Sequence, residues 1–186
     1  MKQALLVIDV QESFRQRPYF RERDVPAFLR NVQSLIDRCH ARSIPVVQVL
    51  HQEPPEHPDN PFAAASGFVR LMPELSLRAA VVVRKQVHSA LFGRTADGAT
   101  LEQWLRQHGI DELLISGIRT EQCCETTTRH ASDAGFSVRY VTDATLTFPM
   151  LTRSGREVSP AEIQERTEMV LDGRFAQIVS TATALD

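Results

Sequence analysis

Short apolar runs that alternate with helical patterns constrain the fold of this chain most strongly. Nearly unbroken apolar runs occur at residues 4–10, 44–50, 81–84, 112–117, 136–141 and 176–179. Runs of this kind are typical of parallel strands that are covered on both faces. Helical patterns lie between them, so the sequence predicts an α/β fold with right-handed crossovers. We expect a three-layer α/β/α sandwich with a central, mostly parallel six-stranded sheet.

The helix boundaries carry recognisable start and stop signals. Ser159, Pro160 and Glu162 fit a capping box with proline at the first helical position, and a helix is predicted from there to residue 171. Further helices are predicted from about Val25, over residues 101–108, and from Thr120 to about residue 134. Residues 52–67 hold four prolines and are predicted to form a loop, which could act as a lid or reach another subunit.

Length and composition narrow the class of protein. The 186 residues fit one domain, predicted to span residues 1–186, and no apolar stretch approaches the roughly 20 residues of a membrane span. A net charge of −2 with scattered basic residues argues against a nucleic-acid partner. The first strand leaves no room for a signal peptide, and three cysteines form a poor disulfide framework. We therefore expect a cytoplasmic protein.

Three reactive side chains follow three of the predicted strands. Asp9 lies near the end of the first apolar run, Lys85 follows the third, and Cys123 comes shortly after the fourth. Parallel strands all end at the same edge of a sheet, where sites form in such folds. The sequence therefore predicts that an acid, an amine and a thiol meet at this edge.

Lys85 also stands out by composition. Among 21 basic residues only Lys2 and Lys85 are lysines, so the chain supplies positive charge almost entirely with arginine. Lysine is compact and its pKa shifts when it is buried, which suits a site that needs one small ammonium group. Chance in an arginine-rich composition is the alternative. Asp9 lies in an apolar run and needs a partner such as Lys85, although it could also be a structural acid.

Cys123 follows a strand-turn-helix elbow. With Thr120 as the N-cap, Cys123 takes the third helical position, where unpaired N–H groups and the helix dipole favour a thiolate. A cysteine in that place is a candidate nucleophile, and a small buried apolar residue is the alternative reading. Cys124 and Cys39 fit the core better.

The pattern of motifs resembles the isochorismatase-like cysteine hydrolase superfamily, which includes nicotinamidases and N-carbamoylsarcosine amidohydrolase. The matching segments are residues 5–11, residues 82–85 with 89–95, and residues 116–123, continuing through Thr127, Arg129, Ala131, Gly135, Asp143 and Ala144. The match spans most of the chain. Three segments in this order are specific, whereas any single one would be weak.

The resemblance implies a mechanism and a set of site residues. Cys123 would be the nucleophile, Asp9 the base that takes the thiol proton, and Lys85 the cation that keeps the pair in its active charge state. A cis peptide between Ile118 and Arg119 would turn the backbone N–H groups of Arg119 and Cys123 toward the oxyanion. The implied chemistry is hydrolysis of an amide or ureido C–N bond through a thioester.

Substrate contacts are predicted less sharply. Gln11 and Phe14 could line the pocket, or Phe14 could pack its loop on the core. His51 could face the substrate or anchor a loop, and the side chain of Arg119 could pair with a substrate carboxylate or remain solvated. We expect the substrate to be a small molecule. The resemblance also implies that the chain forms a homo-oligomer, a dimer or tetramer.

The metal site of nicotinamidases is not matched. That site uses an Asp-x-His pair after the second strand and a further histidine, whereas this chain has His51, Glu53, His57 and Asp59 in the region. We therefore predict no metal and no cofactor, which argues against nicotinamide as the substrate. Two other functions stay open: an isochorismatase-type ether hydrolase, whose members lack the nucleophilic cysteine, and a non-catalytic binding or assembly module with the same fold.

Overall fold

The fold is described by a computed structural model that covers residues 1–53 and 59–186. Within these residues the helices and strands follow the alternating order that the apolar runs predict. Their bounds are β1 (Gln3–Ile8), α1 (Val25–Ala41), β2 (Val46–His51), β3 (Val81–Lys85), α2 (Leu101–Gln107), β4 (Glu112–Ile118), α3 (Glu125–Asp133), β5 (Ser137–Leu146), β6 (Met150–Leu151), β7 (Glu157–Val158), α4 (Pro160–Leu171) and β8 (Gln177–Val179).

Six of the strands form the central sheet, in the order β3-β2-β1-β4-β5-β8. Every neighbouring pair in it is parallel, which confirms the predicted α/β sandwich. The chain builds outward from β1 through β2 to β3 and then returns to add β4 on the other side of β1. Ligand sites in such sheets lie at the carboxyl ends of the strands where the order reverses, here between β1 and β4.

Each face of the sheet carries its own apolar core. Leu5 and Val7 of β1 point to one face, where they join Phe28, Val32 and Ile36 of α1. Because successive side chains of a strand alternate in direction, Leu6 and Ile8 point to the opposite face, where the core includes Leu101 and Leu105 of α2, Ala131 of α3 and Leu171 of α4. One helix thus covers the first face and three cover the second. None of the helices in the described residues is long and apolar enough to cross a membrane.

Some boundaries differ from the prediction. Strand β5 continues to Leu146 rather than ending at Val141, and its register against β4 shifts between Ile115 and Gly117. The antiparallel hairpin β6–β7 was not predicted, because two-residue strands are too short to show a period. The capping box at Ser159 and Glu162 is confirmed, with both reciprocal hydrogen bonds present. Of the predicted proline-rich loop, residues 54–58 lie outside the described residues.

Candidate active site

Asp9, Lys85 and Cys123 meet at the carboxyl edge of the sheet. Lys85 Nζ lies 2.7 Å from Asp9 Oδ2 and donates a hydrogen bond of 3.3 Å to Cys123 Sγ. The side chains of Asp9 and Lys85 are fully buried, and Cys123 is 7% exposed. Three segments that are far apart in the chain therefore form one buried cluster of an acid, an amine and a thiol.

The backbone around Asp9 is unusual. Asp9 follows the last residue of β1 with φ of 54°, a left-handed conformation that aspartate tolerates better than most residues. Its N–H still bonds to Val49 O at 2.9 Å, and Gln11 N bonds to Asp9 O at 2.8 Å. Because of this conformation, β1 ends at Ile8, one residue before Asp9. The Asp9 carboxylate can then turn toward the ends of the neighbouring strands.

Cys123 lies in a π-helical turn, residues Thr120–Cys124, that precedes α3. The prediction of Thr120 as N-cap is wrong, because Arg119 occupies the cap position. The Thr120 hydroxyl instead lies 2.8 Å from that of Thr145, and Tyr140 donates to the Thr120 carbonyl at 2.8 Å. These contacts attach the turn to β5. The peptide bond between Ile118 and Arg119, just before the turn, is cis.

The charge state of the cluster differs from the simple helix-dipole expectation. Burial and then the negative charge of Asp9 raise the pKa of Cys123 to about 12, because the opposing charge of Lys85 compensates them only in part. Burial lowers the pKa of Lys85, but Asp9 and Cys123 outweigh this and the net shift is upward. The resting cluster therefore holds an ammonium ion and a neutral thiol rather than the thiolate predicted from sequence.

The Asp9 carboxylate is placed to accept a proton. Its Oδ2 forms the ion pair with Lys85, but neither Oδ1 nor Oδ2 has a partner of good hydrogen-bond geometry in the described part of the chain. A buried carboxylate oxygen without a partner is costly and is a strong acceptor. The arrangement can therefore receive a proton from the neighbouring thiol or from a bound molecule.

His51, at the end of β2, completes the surroundings of Lys85. Its Nδ1 lies 3.1 Å from Lys85 Nζ, and its Nε2 lies 3.7 Å from Glu53 Oε1. Burial, then the charge of Lys85, lowers the pKa of His51, so the imidazole is neutral. An ammonium can only donate, so Nδ1 accepts and we assign the proton to Nε2. Lys85 thus donates toward Asp9, Cys123 and His51.

His51 and Glu53, which lie in the region of the nicotinamidase metal site, do not form a metal site in the described residues. His57 lies outside the described residues. Across residues 1–53 and 59–186, no three histidine, cysteine or acid side chains are grouped so as to hold one metal ion.

Gln11 and Phe14 are both buried beside the site, and a substrate contact of either stays a prediction. The Gln11 amide is buried and bonds to both backbone groups of His51, accepting from N at 2.8 Å and donating to O at 3.0 Å. Phe14 belongs to the core on the α1 face and packs edge-on against Phe62 at 5.1 Å. Both residues position the loops around the site. For Phe14 this agrees with the alternative that it packs its loop on the core.

The Arg119 side chain is neither solvated nor free. It is 8% exposed, it forms an ion pair of 3.0 Å with Glu121, and it lies over the ring of Tyr19 at 5.0 Å. Glu121 in turn accepts from Thr147 at 2.6 Å. The guanidinium therefore braces the π turn through Glu121 and Tyr19.

His88 is a site residue that the sequence reasoning missed. It is exposed, and its Nδ1 lies 3.7 Å from Cys123 Sγ. The segment after it is anchored to α3 by two contacts: Ser89 Oγ lies 2.7 Å from His130 Nδ1, and Ala90 N donates to Thr127 Oγ1 at 2.9 Å. Only its position three residues after Lys85, beside the motif at residues 89–95, could have indicated it.

A surface cleft of about 430 Å³ lies beside Lys85. The Asp9 and Cys123 side chains do not line it, so we do not take it as the reaction site. Its walls are formed by Gln52, Arg84, Lys85, Gln86, Val87, Phe92 and Arg94.

Comparison with known proteins identifies the family. The family model of the isochorismatase domain matches residues 3–182. The chain belongs to the isochorismatase domain family. It is 31% identical over 188 residues to nicotinamidase 3 of Arabidopsis thaliana, covering 95% of this chain and 83% of the relative. It is 28% identical over 184 residues to the isochorismatase family protein YrdC of Bacillus subtilis, covering 97% and 92%.

A solved structure of an isochorismatase family protein from Burkholderia xenovorans has the same architecture. Its TM-score against this chain is 0.83 at 33% identity, with 97% of this chain and 84% of the other covered. Membership in this family, together with a nicotinamidase among the relatives, supports a hydrolase. The suspected relationship to the isochorismatase-like superfamily is thereby confirmed.

Proposed function

We propose that this isochorismatase domain is a cysteine hydrolase that cleaves the C–N bond of a small amide, carbamoyl or ureido compound. The observation that carries the proposal is the position of Lys85 Nζ, 2.7 Å from a carboxylate oxygen of Asp9 and 3.3 Å from Cys123 Sγ. A nucleophile, a base and a cation within hydrogen-bond reach of each other are what acyl transfer through a thioester requires.

The first half of the proposed reaction forms the thioester. Asp9 takes the proton of Cys123, and Sγ attacks the carbonyl carbon. The backbone N–H groups of Arg119 and Cys123 hold the oxyanion, and Lys85 compensates the charge that moves between sulfur and carboxylate. Asp9 then returns the proton to the leaving nitrogen, and the C–N bond breaks. Water hydrolyses the thioester afterwards.

The resting charge state supports the need for a base. Because burial and Asp9 keep the pKa of Cys123 near 12, almost no thiolate exists at neutral pH without proton transfer. The free Oδ1 of Asp9 is the acceptor that the cluster offers. Activation is then coupled to substrate binding, and the idle thiol is protected from oxidation and alkylation.

The relatives support the substrate class. Nicotinamidase 3 of Arabidopsis thaliana is named for the hydrolysis of an amide, and the chain matches 83% of its length. We propose a small-molecule substrate, no cofactor, a homo-oligomeric assembly and a cytoplasmic location.

Two rival functions differ in what they require of Cys123. An ether hydrolase of the isochorismatase type needs no nucleophilic thiol, and a binding module needs none of the three side chains. The ion pair between Asp9 and Lys85, buried beside a thiol that the same lysine contacts, favours the thioester mechanism over both.

A screen for ammonia release from small amides and carbamoyl compounds tests the proposal. Wild-type protein is expected to release ammonia from at least one of them, and Cys123→Ala to lose at least about 1000-fold of that activity. Cys124→Ala is the matched control, since it removes the adjacent buried thiol and should keep turnover. Turnover that survives in Cys123→Ala would rule out the covalent mechanism.

A further inference from the structure

For one stage of the proposed reaction, Lys85 has no negatively charged side chain beside it. At rest its ammonium group forms an ion pair with Asp9 and donates to the thiol of Cys123. When Asp9 takes the thiol proton and the sulfur bonds to the carbonyl carbon, the negative charge moves to the carbonyl oxygen. Asp9 is then a neutral acid, and the sulfur is neutral too. Because the Lys85 side chain is fully buried, its ammonium group depends on a further acceptor at this stage.

His51 offers an acceptor whose charge does not change during the reaction. Its Nδ1 lies 3.1 Å from Lys85 Nζ. Burial, then the charge of Lys85, lowers the pKa of His51, so the imidazole is neutral and its Nδ1 lone pair can accept from the ammonium group. No proton transfer or bond formation of the proposed mechanism uses this nitrogen. The contact between Lys85 and His51 can therefore persist while Asp9 and Cys123 change their charge states.

Neighbouring residues hold the His51 ring in this orientation. The Gln11 amide bonds to both backbone groups of His51, and the ring packs edge-on against Phe62 with the ring centres 5.7 Å apart. Glu53 Oε1 lies 3.7 Å from Nε2, and the other oxygen of Glu53 accepts from Asn60 at 2.7 Å. A carboxylate beside Nε2 favours the tautomer that carries its proton there and leaves Nδ1 free to accept.

We infer that His51 is a positioning residue for the reaction, an inference that rests on the proposed function. Its neutral Nδ1 holds the Lys85 ammonium group in place while Asp9 is protonated and the sulfur is bonded to the substrate carbon. When the C–N bond breaks, Asp9 returns its proton to the leaving nitrogen and the resting ion pair forms again. The contact matters most on the way to the tetrahedral intermediate, so its loss should slow acylation and leave substrate binding unchanged.

NMR tests the hydrogen bond itself, without any substrate. In nitrogen-detected spectra of wild-type protein, His51 should be neutral at neutral pH with its proton on Nε2. Lys2 and Lys85 are the only lysines of the chain, so isotope labelling of lysine gives two ammonium signals. His51→Asn places an amide oxygen near the position of Nδ1 and should keep the Lys85 hydrogens slow to exchange, whereas His51→Leu should speed their exchange about 10-fold or more. A proton on Nδ1 in the wild type would overturn the inference, even if His51→Leu fails to fold.

The role in the reaction is tested with p-nitrophenyl acetate, which reports acylation of Cys123 as a burst of nitrophenolate. His51→Leu should slow the burst at saturating ester by about 10- to 100-fold, the loss expected for one hydrogen bond to a charged group. The ester concentration that gives half the maximal burst rate should stay within about twofold of the wild-type value. His51→Asn should restore most of the burst rate, which would not happen if the imidazole only filled space.

The controls separate this inference from the proposed function. His108→Leu is the matched control, since the ring of His108 stacks on Trp104 at 4.0 Å, and it should behave as wild type. A Cys123-dependent burst that is unchanged in His51→Leu, or slowed equally in His51→Asn and His51→Leu, would overturn the role of His51 while the covalent mechanism stands. If Cys123→Ala shows the same burst as wild type, the covalent mechanism and the role of His51 are both wrong.

Discussion

At the scale of single residues, the site depends on a pair of opposite charges removed from water. Asp9 and Lys85 have no solvent-accessible side-chain surface, and each would be costly to bury alone. Their contact of 2.7 Å compensates that cost and fixes the lysine beside the sulfur. Stability and chemistry therefore rest on the same contact, and a double substitution can separate them.

Lys85→Met is expected to destabilise the fold by about 3 kcal/mol at neutral pH, because it leaves the carboxylate of Asp9 buried without a partner. Asp9→Asn combined with Lys85→Met removes both charges, and asparagine tolerates the left-handed conformation at residue 9. The double variant should recover most of that stability in urea titrations while remaining inactive. A double variant as unstable as Lys85→Met would show that the charges are not coupled.

Much of this cluster could be predicted from sequence, but its proton distribution could not. Asp9, Lys85 and Cys123 are recognisable because each lies near or just after the end of an apolar run, and parallel strands end together. The thiolate expected for Cys123 was wrong, because burial and the charge of Asp9 raise the pKa of the thiol despite the opposing charge of Lys85. His88 lies on an exposed segment whose position relative to the sulfur depends on contacts with α3, which no local pattern encodes.

At the scale of elements, the end of β4 is shaped by close approach to β1. Gly117 has φ of 135°, and a Cβ placed there would lie 2.0 Å from Ile8 O. The glycine lets β4 and β1 pair up to the residue before Asp9, with Gly117 opposite Ile8 in the register. The separation of Asp9 and Cys123 is thus set by a residue that takes no part in the chemistry.

Gly117→Ala is expected to cost about 3 kcal/mol of unfolding free energy and to lower activity, since the added methyl group must push the two strands apart. Gly109→Ala is the matched control: its φ is also positive, at 65°, but its Cβ would meet nothing within 4 Å. That control should cost only about 1 kcal/mol and keep full activity. Equal effects of the two substitutions would argue against the steric explanation.

The element order was the most predictable feature, whereas local details of the site-bearing elements were not. Apolar runs of six or seven residues reveal β1 and β4 directly. The π turn at residues 120–124 was predicted as an ordinary helix start, because the contacts of Thr120 with Thr145 and Tyr140 come from a strand that follows later in the chain. Tertiary contacts of this kind override local helix-capping preference.

At the scale of the whole molecule, several buried thiols and a buried phenol have raised pKa values. Burial raises the pKa of Cys39 to about 11 and that of Cys123 to about 12, and it also raises the pKa values of Cys124 and Tyr140 well above normal. A raised folded-state pKa contributes stability that is complete below the unfolded pKa and is lost as the pH rises through the folded value. The protein should therefore unfold in alkali.

The unfolding free energy is expected to fall steeply between about pH 9 and pH 11, by about 1.4 kcal/mol per pH unit for each such group. Cys39→Ala should reduce the slope of the unfolding free energy against pH by the contribution of one titrating group. Urea titrations at a series of pH values measure this slope. Val32→Ala removes a non-titrating residue from the same face of α1, so it should lower stability equally at each pH. Parallel curves for all three proteins would contradict the assignment.

The three hydrogens of the Lys85 ammonium are all engaged, by Asp9, Cys123 and His51. No hydrogen of that ammonium is left over for a substrate, so Lys85 does not select the substrate through a hydrogen bond of its own. The same buried cluster can therefore serve different substrates in different relatives. Exchanging the loops around the site between relatives should change which compound is accepted and leave the bond-breaking step unchanged.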